Sequence, residues 1–322
     1  MKNDTIDQII NLSDQIQDRR ELHKLVGPLL EKMGNDPEFW TQLFEENLRD
    51  YKHLNREWSE FNIPFFYVFE NNDFFIKVHI FPSLESKKTN ILCSAIHHHN
   101  NYLLTSYAAH GSGYETFLFD YNPTTDPTTK LAKLKITKQF YQRDQRIHMV
   151  DSWQPHAVIN PTSFSATLVF WTPDEKRSTD RLRSNKILKA FKTPIRKLIY
   201  LFKLENKYGI AAKETYQWYP SNGKFIGVLE EEFFAPTKAK TGKVVDEYSA
   251  QTLFYFMQEK GYRNIRFLEN FLKDTNVPDY YKPFAKKLIN NENIPETYAK
   301  PEINVPNKFI LKEEIIEANK NS

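Results

Sequence analysis

One cysteine, Cys93, stands among 322 residues, so no internal disulfide can form and a reducing, cytoplasmic setting is expected. No run of eighteen apolar residues occurs, which excludes a helical membrane span. The start of the chain, Met1 to Thr5, opens a polar amphipathic segment without the apolar stretch of a secretory signal. An excess of one charge is also missing. The 44 basic and 41 acidic residues leave +3, too balanced to argue for a nucleic-acid partner. Glycine is sparse: Gly209, Gly223, Gly227 and Gly242 are scattered and make no phosphate-cradling loop. Neither a solenoid repeat nor a nucleophile elbow is present. What the chain does hold is aromatic material, 25 Phe and 17 Tyr, within a 40% apolar composition that can fill a substantial core.

Three regions follow from the patterning. Residues 1–60 are predicted to be helices, with Ile6, Ile9, Ile10 and Ile16, then Leu22, Leu25, Val26, Leu29 and Met33, at helical spacing. Gly34-Asn35-Asp36-Pro37 breaks this run. Asp36 is placed as an N-cap and Pro37 at the first position of a third helix carrying Phe39, Trp40, Leu43, Phe44, Leu48 and Tyr51. Residues 61–176 read as short strands: a hairpin over 65–69 and 74–81, then runs at 91–96, 102–109, 114–121, 131–136, 147–150, 156–159 and 166–171. Many short strands separated by turn signals indicate a sandwich or barrel. Residues 177–322 read as mostly helical. An apolar stripe over 187–202 is flanked by basic residues from Arg181 to Lys203; packing on the strands is its simplest use, a phosphate or membrane surface the alternative. A hairpin is expected over 216–232, turning at Ser221-Asn222-Gly223, with helices at 248–260 and 265–273 and a polar tail. The acidic run Glu230-Glu231-Glu232 reads as a solvated element end.

The segment Ile96-His97-His98-His99 carries the chemistry. Residues i and i+2 of a strand share a face, so His97 and His99 can offer two imidazoles from one wall. His156, followed four residues later by Asn160 and preceded by Pro155, can supply a third from an opposing strand. Three imidazoles would close one face of a metal and leave its other positions open. His98 should then point away. His110 and His148 could equally line the cavity or be ordinary satisfied histidines, while His23, His53 and His79 read as structural.

The run from Ile96-His97-His98-His99 to Leu104, Gly111 and Glu115-Thr116-Phe117-Leu118-Phe119 resembles the first motif of the cysteine dioxygenase family of cupins. His156 to Asn160 and Thr167 to Pro173 resemble its second motif. The likeness covers roughly residues 35–175. It implies a mainly β cupin (jelly-roll) barrel with N-terminal helices and a helical C-terminal extension. It also implies a mononuclear Fe(II) centre on His97, His99 and His156, although zinc, nickel or copper suit the same donors. Leu104 stands where many cupins place a glutamate ligand. The family's Ser-His-Tyr relay would fall near Thr162, Val169 and Trp171, and its carboxylate-anchoring Arg near Tyr67, so those functions are absent as read. The pocket candidates become Tyr67, Tyr107, His148 and Trp171, in a cavity poorer in charge and suited to a substrate bulkier or less acidic than cysteine. An oxygenase taking a small organic molecule and dioxygen is the leading expectation. A metal-dependent isomerase or lyase, and a non-enzymatic ligand-binding protein, are the alternatives. The C-terminal extension is expected to cover the barrel mouth or form a homodimer interface.

Overall fold

Short polar residues start each N-terminal helix. Asn3 caps α1 (Asp4–Gln15), accepting from the backbone N–H of Thr5 at 3.0 Å and of Ile6 at 3.3 Å. Asp18 caps α2 (Arg19–Gly34) in the same way, and Asp36 caps α3 (Pro37–Arg49) with Pro37 at its first position, as the sequence predicts. The computed structural model describes residues 3–49, 65–71, 73–84, 95–176, 197–198, 201–202, 215–230, 247–299 and 310–322, and of Tyr67, Thr215, Glu230 and Ala299 only the backbone. Tyr51, His53, the strand expected over 91–94 with Cys93, most of the basic stripe over 181–203, and Glu231-Glu232 lie outside the described residues.

The strands are β1 (Phe65–Glu70), β2 (Phe75–Phe81), β3 (Ser83–Leu84), β4 (Tyr102–His110), β5 (Glu115–Phe119), β6 (Thr124–Thr125), β7 (Leu131–Lys133), β8 (Ile136–Tyr141), β9 (Ile147–Val150), β10 (His156–Ile159) and β11 (Ser165–Pro173). The expected hairpin follows as β12 (Thr215–Ser221) and β13 (Lys224–Glu230). Then come α4 (Glu247–Glu259), α5 (Ile265–Lys273), α6 (Lys282–Ile289), β14 (Tyr298–Ala299) and α7 (Lys312–Lys320). Two expectations change. The single strand over 131–136 divides into β7 and β8, because exposed Thr137, Lys138 and Gln139 break the apolar alternation that would have marked β8. The polar tail contains α6 and α7, the latter burying only Ile315 and Ala318, too little apolar periodicity to read.

Antiparallel pairing builds a five-stranded sheet, β1-β2-β11-β4-β9, which faces a three-stranded sheet, β10-β5-β8. Among the described residues no continuous ladder joins them into a closed barrel, so the expected barrel is corrected to facing sheets. A third sheet, β12-β13-β7-β6, ties the C-terminal hairpin to the middle of the chain. Strand alternation divides the five-stranded sheet into two faces. Ile76, Val78, Ile80, Leu168 and Phe170 point outward to α2, whose Leu22, Val26, Leu30 and Met33 are fully buried against them. Phe75, Val169, Trp171, Tyr102 and Leu104 point inward and meet Leu118 and Phe140 from the second sheet. Gly34 lies where the helix end approaches most closely; a Cβ there would stand 2.5 Å from the Tyr107 ring.

Among the described residues, the C-terminal helices do not lie over the inner face. α4 packs Phe256 against Trp40 and Phe44 of α3, at ring separations of 5.2 and 5.3 Å, and joins the same outer core. α7 covers the back of the three-stranded sheet, where Lys312 pairs with Glu115 at 2.7 Å. Among the described residues no helix is long and apolar enough to cross a membrane.

A buried histidine bolts the helical layer to the sheet. The Thr172 hydroxyl donates to the Pro173 carbonyl at 2.7 Å, so His23 Nε2–H donates to Thr172 Oγ1 at 3.0 Å and Nδ1 accepts from the Thr105 hydroxyl at 2.7 Å. Burial, helped by Arg19 and Arg20, pushes the pKa of His23 down from 6.5 to about 3. The folded state therefore holds a neutral ring while the unfolded chain takes a proton below pH 6.5. Stability from this group is complete above 6.5 and is lost as pH falls toward about 3. His23→Leu should cost about 1–3 kcal/mol at neutral pH by stranding two threonine hydroxyls. Urea denaturation at roughly pH 7.5 and pH 5 should then show the variant losing about 2 kcal/mol less on acidification than the parent. An identical acid loss in both would refute the assignment.

Candidate metal centre

The three expected ligands converge, though not by the route expected. His97 and His99 do not lie on one regular strand: residues 96 and 97 make isolated bridges, Ile96 to Trp218 and His97 to His156, and after His98 the chain turns at Asn100-Asn101, with the Tyr102 N–H donating to the His99 carbonyl. His156 opens β10 and is the direct backbone neighbour of His97, not a residue across the cavity. The His97 N–H donates to the His156 carbonyl at 3.1 Å, and the His156 N–H returns to the His97 carbonyl at 2.8 Å. This reciprocal pair sets the two rings side by side, 4.5 Å apart between centroids, and His99 folds over both at 5.1 and 4.4 Å. One potential ligand atom from each ring lies within 4.8 Å of the others, and no Asp, Glu or Cys joins the group among the described residues.

The tautomers follow from their partners. A carbonyl oxygen can only accept, so His97 Nδ1–H donates to Ala95 O at 2.9 Å and His156 Nδ1–H donates to Gln154 O at 3.1 Å. Both rings therefore carry their lone pair on Nε2, the arrangement that backbone carbonyls commonly impose on metal-binding histidines. His99 Nδ1 is buried and has no hydrogen-bond partner among the described residues. Burial lowers the pKa of His97 to about 4, against the opposing pull of the Ala95 carbonyl. Burial first, and the neighbouring histidines second, hold His99 and His156 well below 6.5. Three neutral imidazoles at neutral pH release no protons on taking up a cation. The donor set thus fits a borderline divalent transition metal. It would bind through Nε2 of His97 and His156 and through a nitrogen of His99.

Of the pocket candidates, Trp171 meets the centre: its ring stands edge-on to His99 at 4.3 Å, and its indole N–H is buried without an acceptor among the described residues. Phe75 stacks on Trp171 at 5.7 Å. His148 is on the inner face but is engaged, with Nε2 3.0 Å from Ser106 Oγ and its ring 4.0 Å from Phe140. Tyr107 is corrected. Leu104 and Ser106 take the inward positions of β4, so Tyr107 points outward to the helices, where its hydroxyl donates to Asn35 Oδ1 at 3.1 Å. For Tyr67 only the backbone, paired with Lys77, is described. His98 is buried and turned toward Trp153 and Trp218, and His110 lies near Glu259 of α4 at 3.7 Å.

Two inward residues escaped the sequence reading. Lys77 and His79 alternate with the outward Ile76, Val78 and Ile80 on β2. Lys77 is only 3% exposed, with its Nζ 4.4 Å from the Phe65 ring centre and 5.0 Å from that of Phe75. His79 is half-buried, and its pKa is lowered to about 3 by desolvation first and by Lys77 second. The inward face thus carries a lysine among its aromatic residues, where the sequence reading expects little charge. The signal was legible as Phe75, Lys77, His79 and Phe81 at period two, four residues sharing one face.

Comparisons with known proteins were made at three levels. No model of a known family matches the sequence, and no curated protein matches it. Solved structures with a partial likeness to this chain include a cupin-2 domain protein of Rhodospirillum rubrum, 10% identical over 41% of this chain and 78% of that one, TM-score 0.22. The DMSP lyase DddQ of Ruegeria pomeroyi is 13% identical over 35% of this chain and 47% of its own, TM-score 0.20. The capsular polysaccharide assembling protein CapF of Staphylococcus aureus is 13% identical over 34% of this chain and 28% of its own, TM-score 0.22. Each likeness is thus confined to a minor part of this chain, and this chain spans less than half the length of DddQ and CapF.

A metal at this centre stabilises the folded state in proportion to its concentration over Kd, by about 2.7 kcal/mol at a hundredfold excess. The purified protein should take up about one divalent transition ion per chain and melt at a higher temperature with it than after chelation. His99→Ala and His156→Ala should each abolish both effects, while His110→Ala leaves them intact. Equal melting of chelated and metal-treated protein would dismiss the centre.

Proposed function

We propose that this chain is a mononuclear non-haem iron oxygenase of cupin architecture, acting with dioxygen on a small organic substrate other than free cysteine. The observation that supports it most is the donor set: three imidazoles, two buried and His99 half-buried, held neutral, with no carboxylate among them in the described residues. Iron on such a set keeps its double positive charge and supplies open positions for a substrate donor and for dioxygen. The remaining work falls to the chain. Phe75, Val169, Leu104 and Leu118 pack with Trp171 into an apolar cluster beside the histidines that keeps bulk water away, which strengthens the charge interactions there. Trp171 places a rigid edge against His99 and offers one indole N–H to a bound molecule. Val169 and Trp171 stand where the cysteine dioxygenase-like pattern has its His and Tyr, so the acid–base relay of that family is not available for cysteine.

A second reading is a lyase or isomerase using the metal only as a Lewis acid, which the same three-imidazole donor set would serve. Oxygen separates the two. Iron-loaded protein, screened against small organic acids, thiols and amino acids with an oxygen electrode, should consume dioxygen in step with substrate loss. His99→Ala should lower that rate by at least about a hundredfold. Turnover that persists in zinc-loaded protein without oxygen uptake would replace the oxygenase by the lyase or isomerase.

A further inference from the structure

We infer that Trp218 and Trp153 are positioning residues of the metal centre: their rings seat His98, and through it they set where His97 and His99 present their nitrogens. The inference rests on the metal-centre reading above and serves an oxygenase and a lyase alike.

The pairing around the ligand segment shows why a seat is needed. Ile96 exchanges both backbone hydrogen bonds with Trp218, at 3.0 and 2.9 Å, while His97 exchanges both of its own with His156 on the other side. Residues 96 and 97 are thus a two-residue strand that joins the β12-β13-β7-β6 sheet to the β10-β5-β8 sheet. Among the described residues regular pairing stops there, so the direction taken by His99 depends on how His98 is held. His98 is buried, its ring 5.2 Å from that of Trp153 and 5.8 Å from that of Trp218. Its Nδ1 accepts the Asn100 N–H at 3.1 Å. Trp218 therefore holds His97 from both ends, the preceding residue by its backbone and the following residue by its ring.

Both tryptophans are themselves fixed. The Trp218 indole N–H donates to Thr125 Oγ1 at 3.1 Å. Gly227, opposite Trp218 in register, leaves the room for this, since a Cβ there would stand 2.6 Å from the Thr125 methyl. Trp153 has a φ of +60°, a left-handed conformation that a bulky residue rarely adopts, and its N–H donates to the Asn100 carbonyl at 2.7 Å. Strained backbone of this kind persists where the side chain has a task, and the ring that Trp153 touches is His98. Residues that orient metal ligands without touching the ion change metal affinity by about ten- to a hundredfold when lost.

The test measures cobalt affinity of the full-length protein, by competition with a chelating dye, together with the visible absorption of the cobalt complex. Trp218→Leu and Trp153→Gly should each weaken binding about tenfold or more and alter the absorption band. Glycine suits the backbone at 153, so that variant removes the ring and keeps the path of the chain. Trp218→Phe, which retains a ring, should keep most of the affinity. Phe225→Leu, a comparable loss of ring in the same core, should lower the melting temperature yet keep the affinity within about twofold and the band unchanged. His98→Ala should weaken binding as the tryptophan variants do, and combining it with Trp218→Leu should cost little more, because both act through one contact. Should Trp218→Leu fail to fold, Trp153→Gly carries the comparison. Unchanged affinity and band in the folded ring-free variants, an equal loss in Phe225→Leu, or additive losses in the double variant overturn the seat and leave the metal centre standing. A wild type that takes up no cobalt overturns the centre and the seat with it.

Discussion

The reciprocal backbone hydrogen bonds between His97 and His156 are the constraint on which the centre depends. A single isolated bridge fixes the relative height of two imidazoles, and the carbonyls of Ala95 and Gln154 then fix which nitrogen of each ring carries the proton. Neither device uses a side chain that could rotate away. Backbone pairing of this kind costs no side-chain entropy when a cation arrives, so the geometry is largely set before binding. His99 completes the group from a turn, and Trp171 holds its ring from the opposite sheet. The same bridge region also contacts Trp218 of β12, which links the ligand segment to the C-terminal hairpin. Residues far along the sequence thereby brace the one stretch of the centre that has no regular strand of its own.

Burial makes those imidazoles useful. A charged histidine in this chamber would lose its hydration without gaining a counter-ion in the ligand group, so the rings stay neutral and their lone pairs stay available. The same physics acts on the outer face for a different end. His23 is equally neutral, but both of its nitrogens are satisfied by threonine hydroxyls, and it serves as a bolt between α2 and the sheet. Two histidines of similar burial are distinguished by what their nitrogens touch. His97 spends one nitrogen on a carbonyl and turns the other to its fellow ligands; His23 spends both on the fold.

Much of this was legible in the sequence, and the failures have definite causes. Helix starts at Asp36-Pro37, the hairpin of β1 and β2, and the limits of β9 and β10 follow from local patterning that the structure retains. The grouping of His97, His99 and His156 was readable from their spacing. Their placement was not, because an H-x-H pair gives the same spacing in a strand and in a turn that happens to face one way. Tyr107 was assigned to the cavity on residue type alone. Counting parity from Leu104 would have sent it outward, and the contact of its ring with Gly34 gives the physical reason for that glycine. Lys77 was missed for the opposite reason. A lysine among phenylalanines reads as an exposed edge residue, whereas Lys77 is enclosed, with the rings of Phe65 and Phe75 beside its ammonium.

That enclosure bears on the chemistry more than any ligand does. Three neutral imidazoles can hold several metals and serve several reactions, so the ligand set alone leaves the substrate undefined. The five-stranded sheet adds, on one face, a lysine, an aromatic ring and an indole in adjacent register positions. All three depend on the same parity that buries Ile76, Val78 and Ile80 against the helices. A one-residue slip of β2 would exchange the two sets, placing a lysine in the helical core and isoleucines at the metal. Such a slip is opposed by the whole outer core, since Leu22, Val26 and Leu30 have no other apolar surface to meet. The helical layer therefore acts on function without touching the site: by demanding apolar residues at the even positions of β2, it commits Lys77 and His79 to the chamber.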